Sequence, residues 1–197
     1  MAIDERYKQR QQRLKEHVDA RVATATEERG ILMVFTGNGK GKTTAAFGTA
    51  TRAVGHQKQV GVIQFIKGEW PNGERNLLEP AGVEFQVMAT GFTWDTQDRA
   101  SDTLACLEVW QHGKRMLQDP ALDLVILDEL TYMVSFDYLP LAEVVEALTQ
   151  RPTHQSVIIT GRGCHRDLLA LADTVTEMRP VKHAFDNGIQ AQRGIDW

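Results

Sequence analysis

The chain has 197 residues, of which 42% are hydrophobic and 24% charged, an ordinary globular composition with enough length to bury a core as one domain. Its net charge is −4 and it has no long basic block, so the electrostatic footprint of a nucleic-acid binder is absent, although a small basic patch can still form on folding. No stretch approaches the roughly 20 apolar residues of a membrane span, the N-terminus is charged from Asp4 onward, and neither Cys106 nor Cys164 sits in a C-x-x-C pair, so the expectation is a reduced, cytoplasmic protein with no membrane partner and no nucleic-acid partner.

Residues 1–29 differ from the rest. Asp4 to Glu28 is highly charged, lacks Gly and Pro, and spaces Leu14, Val18 and Val22 four apart. That spacing lays a narrow apolar stripe along a helix. The stripe belongs either to a solvated terminal helix or to an arm that docks on this or a second subunit. The expected division is an arm over 1–29 and an α/β domain over 30–197.

From Gly30 the rhythm becomes strand–helix–strand. Ile31 to Phe35 is an apolar run with the character of a buried strand, and Thr43 to Val54 is the helix after it. Val60 to Ile66 is a second strand, and Lys67 to Pro80 a loop-rich segment containing Pro71-Asn72-Gly73. Val83 to Met88 is a third strand, more polar and nearer an edge. Ala89 to Asp98 is a loop, and Arg99 to Leu117 a long helix. Leu122 to Leu127 is a fourth strand ending at Asp128-Glu129. Pro140 suits the first turn of a helix over Leu141 to Leu148. Ser156 to Thr160 is a fifth strand, Arg166 to Ala172 a helix and Val175 to Met178 a sixth strand. The tail from Pro180 to Trp197 has little periodicity. Continuous apolar strands alternating with helices imply a mainly parallel sheet with helices on both faces. Ligands of such sheets bind at the carboxyl ends of the strands. The loops after Phe35, Phe65, Met88, Leu127 and Thr160 should therefore share one rim.

The first of those loops is Thr36-Gly37-Asn38-Gly39-Lys40-Gly41-Lys42-Thr43-Thr44. A strand, a glycine-rich turn ending in Gly-Lys-Thr and a helix start form a phosphate-binding loop for a nucleoside triphosphate with Mg²⁺. Glycines at 37, 39 and 41 can take positive φ and let backbone N–H groups approach phosphate oxygens. Lys42 adds a charge, the helix start adds its dipole, and the Thr43 hydroxyl is the expected Mg²⁺ ligand. The generic motif begins with Gly, and here Thr36 stands in that place.

Asp128-Glu129 closes an apolar strand, as the acidic partner of such a loop does. One carboxylate can hold Mg²⁺ directly or through water, and the other can act as a general base. Arg162, in Thr160-Gly161-Arg162-Gly163, is either a bidentate donor to phosphate or a surface arginine in a glycine turn. Phe92 and Trp94 put two large aromatics in one loop, which calls for burial or a ligand. His183, beside Lys182 in the tail, is a ligand-facing group or a plain surface histidine.

These residues together resemble the P-loop type bacterial ATP:corrinoid adenosyltransferases of cobalamin biosynthesis and salvage. The similarity covers essentially the whole chain. It runs through Asp4-Glu5-Arg6-Tyr7, the loop from Phe35 to Thr44, Gln64-Phe65-Ile66-Lys67-Gly68 and Asn72-Gly73-Glu74. It continues through Met88-Ala89-Thr90-Gly91-Phe92-Thr93-Trp94, Leu127-Asp128-Glu129-Leu130, Thr160-Gly161-Arg162-Gly163 and Val181-Lys182-His183-Ala184-Phe185. Thr36 is normal in that family.

The resemblance implies a P-loop NTPase (RecA-like) architecture and transfer of the 5′-deoxyadenosyl group of ATP to Co(I) of a corrinoid, with triphosphate leaving. It places the nucleotide on residues 37–44 and Arg162, and Mg²⁺, or Mn²⁺ in its stead, on Thr43, Glu129 and Asp128. Lys42 steadies the leaving group, and the triphosphate lies reversed relative to most NTPases. Phe92 and Trp94 form an apolar wedge under the corrinoid that displaces its lower axial ligand, which makes Co(I) reachable by a flavoprotein reductant. Asn38 then meets the nucleotide and His183 the corrinoid, and the N-terminal helix closes over the partner's site in a homodimer. Two rival readings keep the loop and change its use: an ATPase or kinase with Glu129 as base, or a nucleotide-gated corrinoid-binding module without chemistry.

Overall fold

A computed structural model of the chain describes residues 2–66, 72–88 and 98–196. Among them, β1 (Leu32–Thr36), β2 (Val60–Gln64), β3 (Glu84–Val87), β4 (Leu124–Asp128), β5 (Ser156–Thr160) and β6 (Thr174–Glu177) form one all-parallel sheet in the order β3-β2-β4-β5-β1-β6. The helices are α1 (Ala2–Thr24), α2 (Lys42–Gly55), α3 (Gly73–Leu78), α4 (Arg99–Gln118), α5 (Leu130–Ser135), α6 (Leu141–Thr149) and α7 (Arg166–Leu171), with a 3₁₀ turn at Phe185–Asn187.

Right-handed crossovers decide which face each helix covers. The chain steps from β1 to β2 to β3 in one direction, so α2 and α3 lie on the same face. It then reverses, and α4 to α7 lie on the other. The core divides accordingly, because alternate strand residues point to opposite faces. Val62, Leu124, Ile126 and Ile158 pack with Ala46, Phe47 and Ala50 of α2 and with Leu78 of α3. Ile63, Val125, Leu127, Val157 and Ile159 pack with Trp110, Met116, Met133, Val144 and Leu168 on the other side. Each Val, Leu, Ile, Phe or Met side chain among them contributes about 1.5–3 kcal/mol by leaving water. The parallel arrangement brings Thr36, Gln64, Asp128 and Thr160 to one rim, as the strand pattern implies, and leaves β3 at an edge.

Several boundaries move by one or two residues, and two helices depart from the sequence expectation. Residues 73–78, expected in a loop, form α3, because Asn72 caps its first turn. The residues after Glu129 form α5, whose Leu130, Thr131, Met133 and Val134 are all buried and show no polar face to mark a helix. The loop expected over residues 89–98 falls almost wholly outside the described residues. Burial pushes the Cys106 thiol up to about 12 and Cys164 up to about 11, which keeps both protonated and unreactive at neutral pH. No helix among the described residues is long and apolar enough to cross a membrane.

Helix α1 leaves Tyr7, Leu14, Val18 and Val22 exposed. The core begins where Arg29 grips Asp173: Nη1 donates to Oδ2 at 2.9 Å, and the Leu32 N–H donates to the same oxygen at 2.8 Å. This ties the entry of β1 to the entry of β6. The Arg29 guanidinium, with the Leu32 amide, holds the Asp173 carboxyl down at about 2. An unfolded Asp titrates near about 3.9. The ionised group therefore stabilises the fold above that pH, and the contribution is lost as pH falls through about 2. Asp173→Asn should lower the melting temperature at pH 7, and the gap to wild type should narrow in scans run from about pH 4 downward.

Candidate active site

The phosphate loop joins β1 to α2 through two left-handed glycines, Gly37 at φ 94° and Gly41 at φ 106°. A Cβ on Gly37 would lie 2.4 Å from the Met178 carbonyl oxygen, so only glycine fits. That contact belongs to a brace from the strand beside it. The Met178 N–H donates to Thr36 O at 2.8 Å, and the Gly39 N–H donates to Met178 O at 2.7 Å. The Gly39 amide is thus committed to the exit of β6 rather than aimed at a phosphate.

Lys42 opens α2 and is only 6% exposed. Its ammonium lies across the loop, donating to Gly37 O at 2.9 Å and Gly39 O at 2.8 Å. Burial lowers its pKa, the Glu129 carboxylate opposes that, and Arg162 adds to it. A cation so little hydrated loses little more water when it meets a polyanion.

The acidic half is built around Asp128, the last residue of β4 and 1% exposed. Its Oδ1 accepts from the Thr43 hydroxyl at 2.9 Å and the Thr160 hydroxyl at 2.7 Å. Its Oδ2 accepts from Gln64 Nε2 at 3.2 Å. Glu129 then turns left-handed at φ 62°, and its N–H donates to Thr160 Oγ1 at 2.9 Å. This turn brings Glu129 to the cleft wall while Asp128 stays beneath. Gly161 passes close behind: a Cβ there would lie 2.0 Å from Thr131 Oγ1 and 3.1 Å from Glu129 Oε2.

The cleft between these halves has a volume of about 480 Å³. It gathers Asn38, Gly39, Lys40, Gly41, Lys42, Thr43 and Thr44 from the loop with Glu129, Arg162 and His183. Lys40 is ion-paired with Asp196 of the tail, a partner 156 residues away that no local motif reveals. His183 Nδ1 accepts from the Phe185 N–H at 3.1 Å. Phe92 and Trp94 lie outside the described residues. Asn72 and Glu74, from the Asn72-Gly73-Glu74 segment that carries part of the resemblance but had no site role assigned, also line the cleft, as does Tyr132, which no sequence motif marked. For the buried network beneath it the signal was present: Gln64 and Thr160 are polar residues closing otherwise apolar strands.

The donors around Thr43 are hard oxygens, those of Thr43, Asp128 and Glu129. Among the described residues no group of three or more His, Cys, Asp or Glu side chains forms a metal cage. That donor set fits an Mg²⁺-like ion, which takes one or two protein oxygens and completes its shell with water and phosphate.

Comparison with known proteins identifies the family. Residues 28–197 match the family model described as ATP:corrinoid adenosyltransferase BtuR/CobO/CobP, and residues 3–22 match that of the cob(I)alamin adenosyltransferase N terminal. A corrinoid adenosyltransferase of Escherichia coli strain K12 is 79% identical over 194 residues, covering 98% of this chain and 99% of its own. One of Salmonella typhimurium is 77% identical over 98% of this chain and 99% of its own, and one of Pseudomonas aeruginosa 45% identical over 98% and 97%. The chain belongs to the ATP:corrinoid adenosyltransferase family.

Proposed function

We propose that this chain transfers the 5′-deoxyadenosyl group of ATP to Co(I) of a corrinoid in adenosylcobalamin biosynthesis and salvage. The observation that carries the reading is the joining of Lys42, the α2 start, Thr43 and Glu129 in one cleft, with Asp128 beneath it bonded to the Thr43 hydroxyl, in a chain from this family. The cobalt electron pair forms the Co–C5′ bond, the C5′–O bond breaks, and its electrons leave with triphosphate. Co(I) needs no protein base to make it nucleophilic, so the protein's task is the leaving polyanion. Lys42, the loop amides other than that of Gly39 and the dipole of α2 meet its growing charge. Thr44, Asn38, Lys40 and Arg162 flank the same anion. A bound Mg²⁺ or Mn²⁺, held by the Thr43 hydroxyl with Glu129 and Asp128, would supply Lewis-acid stabilisation of the triphosphate.

Both Asp128 oxygens already accept hydrogen bonds, so Asp128 serves chiefly by orienting Thr43, and Glu129 is the carboxylate on the cleft side. Phe92 and Trp94 serve as the wedge under the corrinoid, with His183 beside it. The exposed stripe on α1 favours a homodimer in which residues 1–29 act as a docking arm, since most helical stability in proteins comes from packing an apolar face against a partner. A flavoprotein reductant in the cytoplasm would supply the electrons.

The decisive assay mixes ATP, Mg²⁺ and chemically reduced cob(I)alamin and identifies the polyphosphate. Triphosphate with an alkylcobalt spectrum is expected; phosphate and ADP without a cobalt–carbon bond would support the rival ATPase. Lys42→Ala should lower kcat about 100- to 1,000-fold in that assay. Phe92→Ala with Trp94→Ala should preserve ATP binding and impair Co(II) reduction, and unchanged activity would remove the wedge role.

A further inference from the structure

From Asn72 on the cleft wall a buried chain of polar side chains runs beneath the cleft, and its direction is forced at every link. Asn72 Oδ1 accepts from the Glu74 and Arg75 N–H groups at 3.1 and 3.2 Å, capping α3. Its Nδ2 is therefore the end left to donate, and it donates to Gln64 Oε1 at 3.0 Å. That in turn leaves Gln64 Nε2 to donate to Asp128 Oδ2, and a carboxylate can only accept. The far oxygen, Oδ1, accepts the Thr43 hydroxyl proton. With that proton committed to Asp128, the Thr43 lone pairs remain for the cleft.

We propose that Gln64 and Asn72 are positioning residues for the cation–triphosphate site, fixing the Asp128 carboxylate and through it the Thr43 hydroxyl. The inference rests on the reading that Thr43 serves the cation. Two observations carry it. First, Gln64 ends the apolar run Val60-Gly61-Val62-Ile63 and is 1% exposed, where an apolar side chain would fill the space without an amide to satisfy. Its register partner across the ladder is Asp128 itself. Second, an Asp would cap α3 as well as Asn72 does, but only the amide also carries a donor for Gln64. Groups that orient a metal ligand from behind commonly change metal affinity or activity by about 10- to 100-fold when removed.

Asn72→Asp separates the two duties of that residue. The cap on α3 survives, while the donor to Gln64 is lost. Gln64 can then turn its amide towards the new carboxylate, which leaves its oxygen facing Asp128. Gln64→Met is the second variant, close in volume and without hydrogen bonds. ATP affinity is measured by calorimetry on the full chain with and without Mg²⁺, and melting temperature reports the fold. The expected result is a near-native melting temperature for Asn72→Asp, and for both variants a Mg²⁺-dependent gain in ATP affinity reduced about 10-fold or more. An undiminished Mg²⁺ gain in either folded variant overturns the proposal, as does an equal loss with and without Mg²⁺, which would mark a structural role. If the unaltered protein itself gains no ATP affinity from Mg²⁺, the reading of Thr43 fails first and the proposal falls with it.

Discussion

The carboxylate of Asp128 is where the architecture converges. It stands at the end of β4 and receives hydrogen bonds from β2 through Gln64, from β5 through Thr160 and from the start of α2 through Thr43. A buried ion without donors would cost several kcal/mol. Here three donors offset that cost, and in doing so they fix the ends of neighbouring strands relative to the phosphate loop. The registry of the central sheet and the geometry of the cleft are thus set by the same charge. Because the donors come from separate elements, no one of them can shift without disturbing the others.

The cleft is electrically divided. Lys42 and Arg162 supply cationic groups, and Asp128 and Glu129 supply the opposing charge. A bare polyanion would meet repulsion from the acidic side, and a bare cation from the basic side. On the proposed reading, a cation–triphosphate complex would satisfy both signs at once. The Lys42 ammonium rests on carbonyls of its own loop, so it is already aimed at the place where phosphate charge would concentrate.

The parts of this molecule legible in the sequence are those whose cause is local. Residues 36–44 carry their own turn chemistry, and the strands carry unbroken apolar runs, so loop, sheet and rim could be read directly. Helix α3 could not, because six residues give too little periodicity and its start depends on Asn72, whose second partner Gln64 is set by the fold. Helix α5 is buried on several sides and lacks the polar face that marks a helix in sequence. The pairing of Lys40 with Asp196 spans 156 residues and follows only from where the tail returns to the loop. The committed Gly39 amide is a similar case: glycine marks a tight approach, but the sequence does not say whether backbone or ligand approaches.

That brace on the loop comes from the least protected strand. All residues of β6 are exposed, and among the described residues it pairs on one side only, with β1. Edge strands open at lower free energy than the core they flank. Yet the carbonyl and amide of Met178, just past β6, hold Thr36 and Gly39 in place. Order at the sheet margin and readiness of the phosphate loop are therefore two sides of one equilibrium: whatever grips the loop also closes the margin, and fraying of the margin is felt as weaker grip. In thermodynamic terms, a ligand that bound the loop would act as a stabilising ligand for the strand behind it.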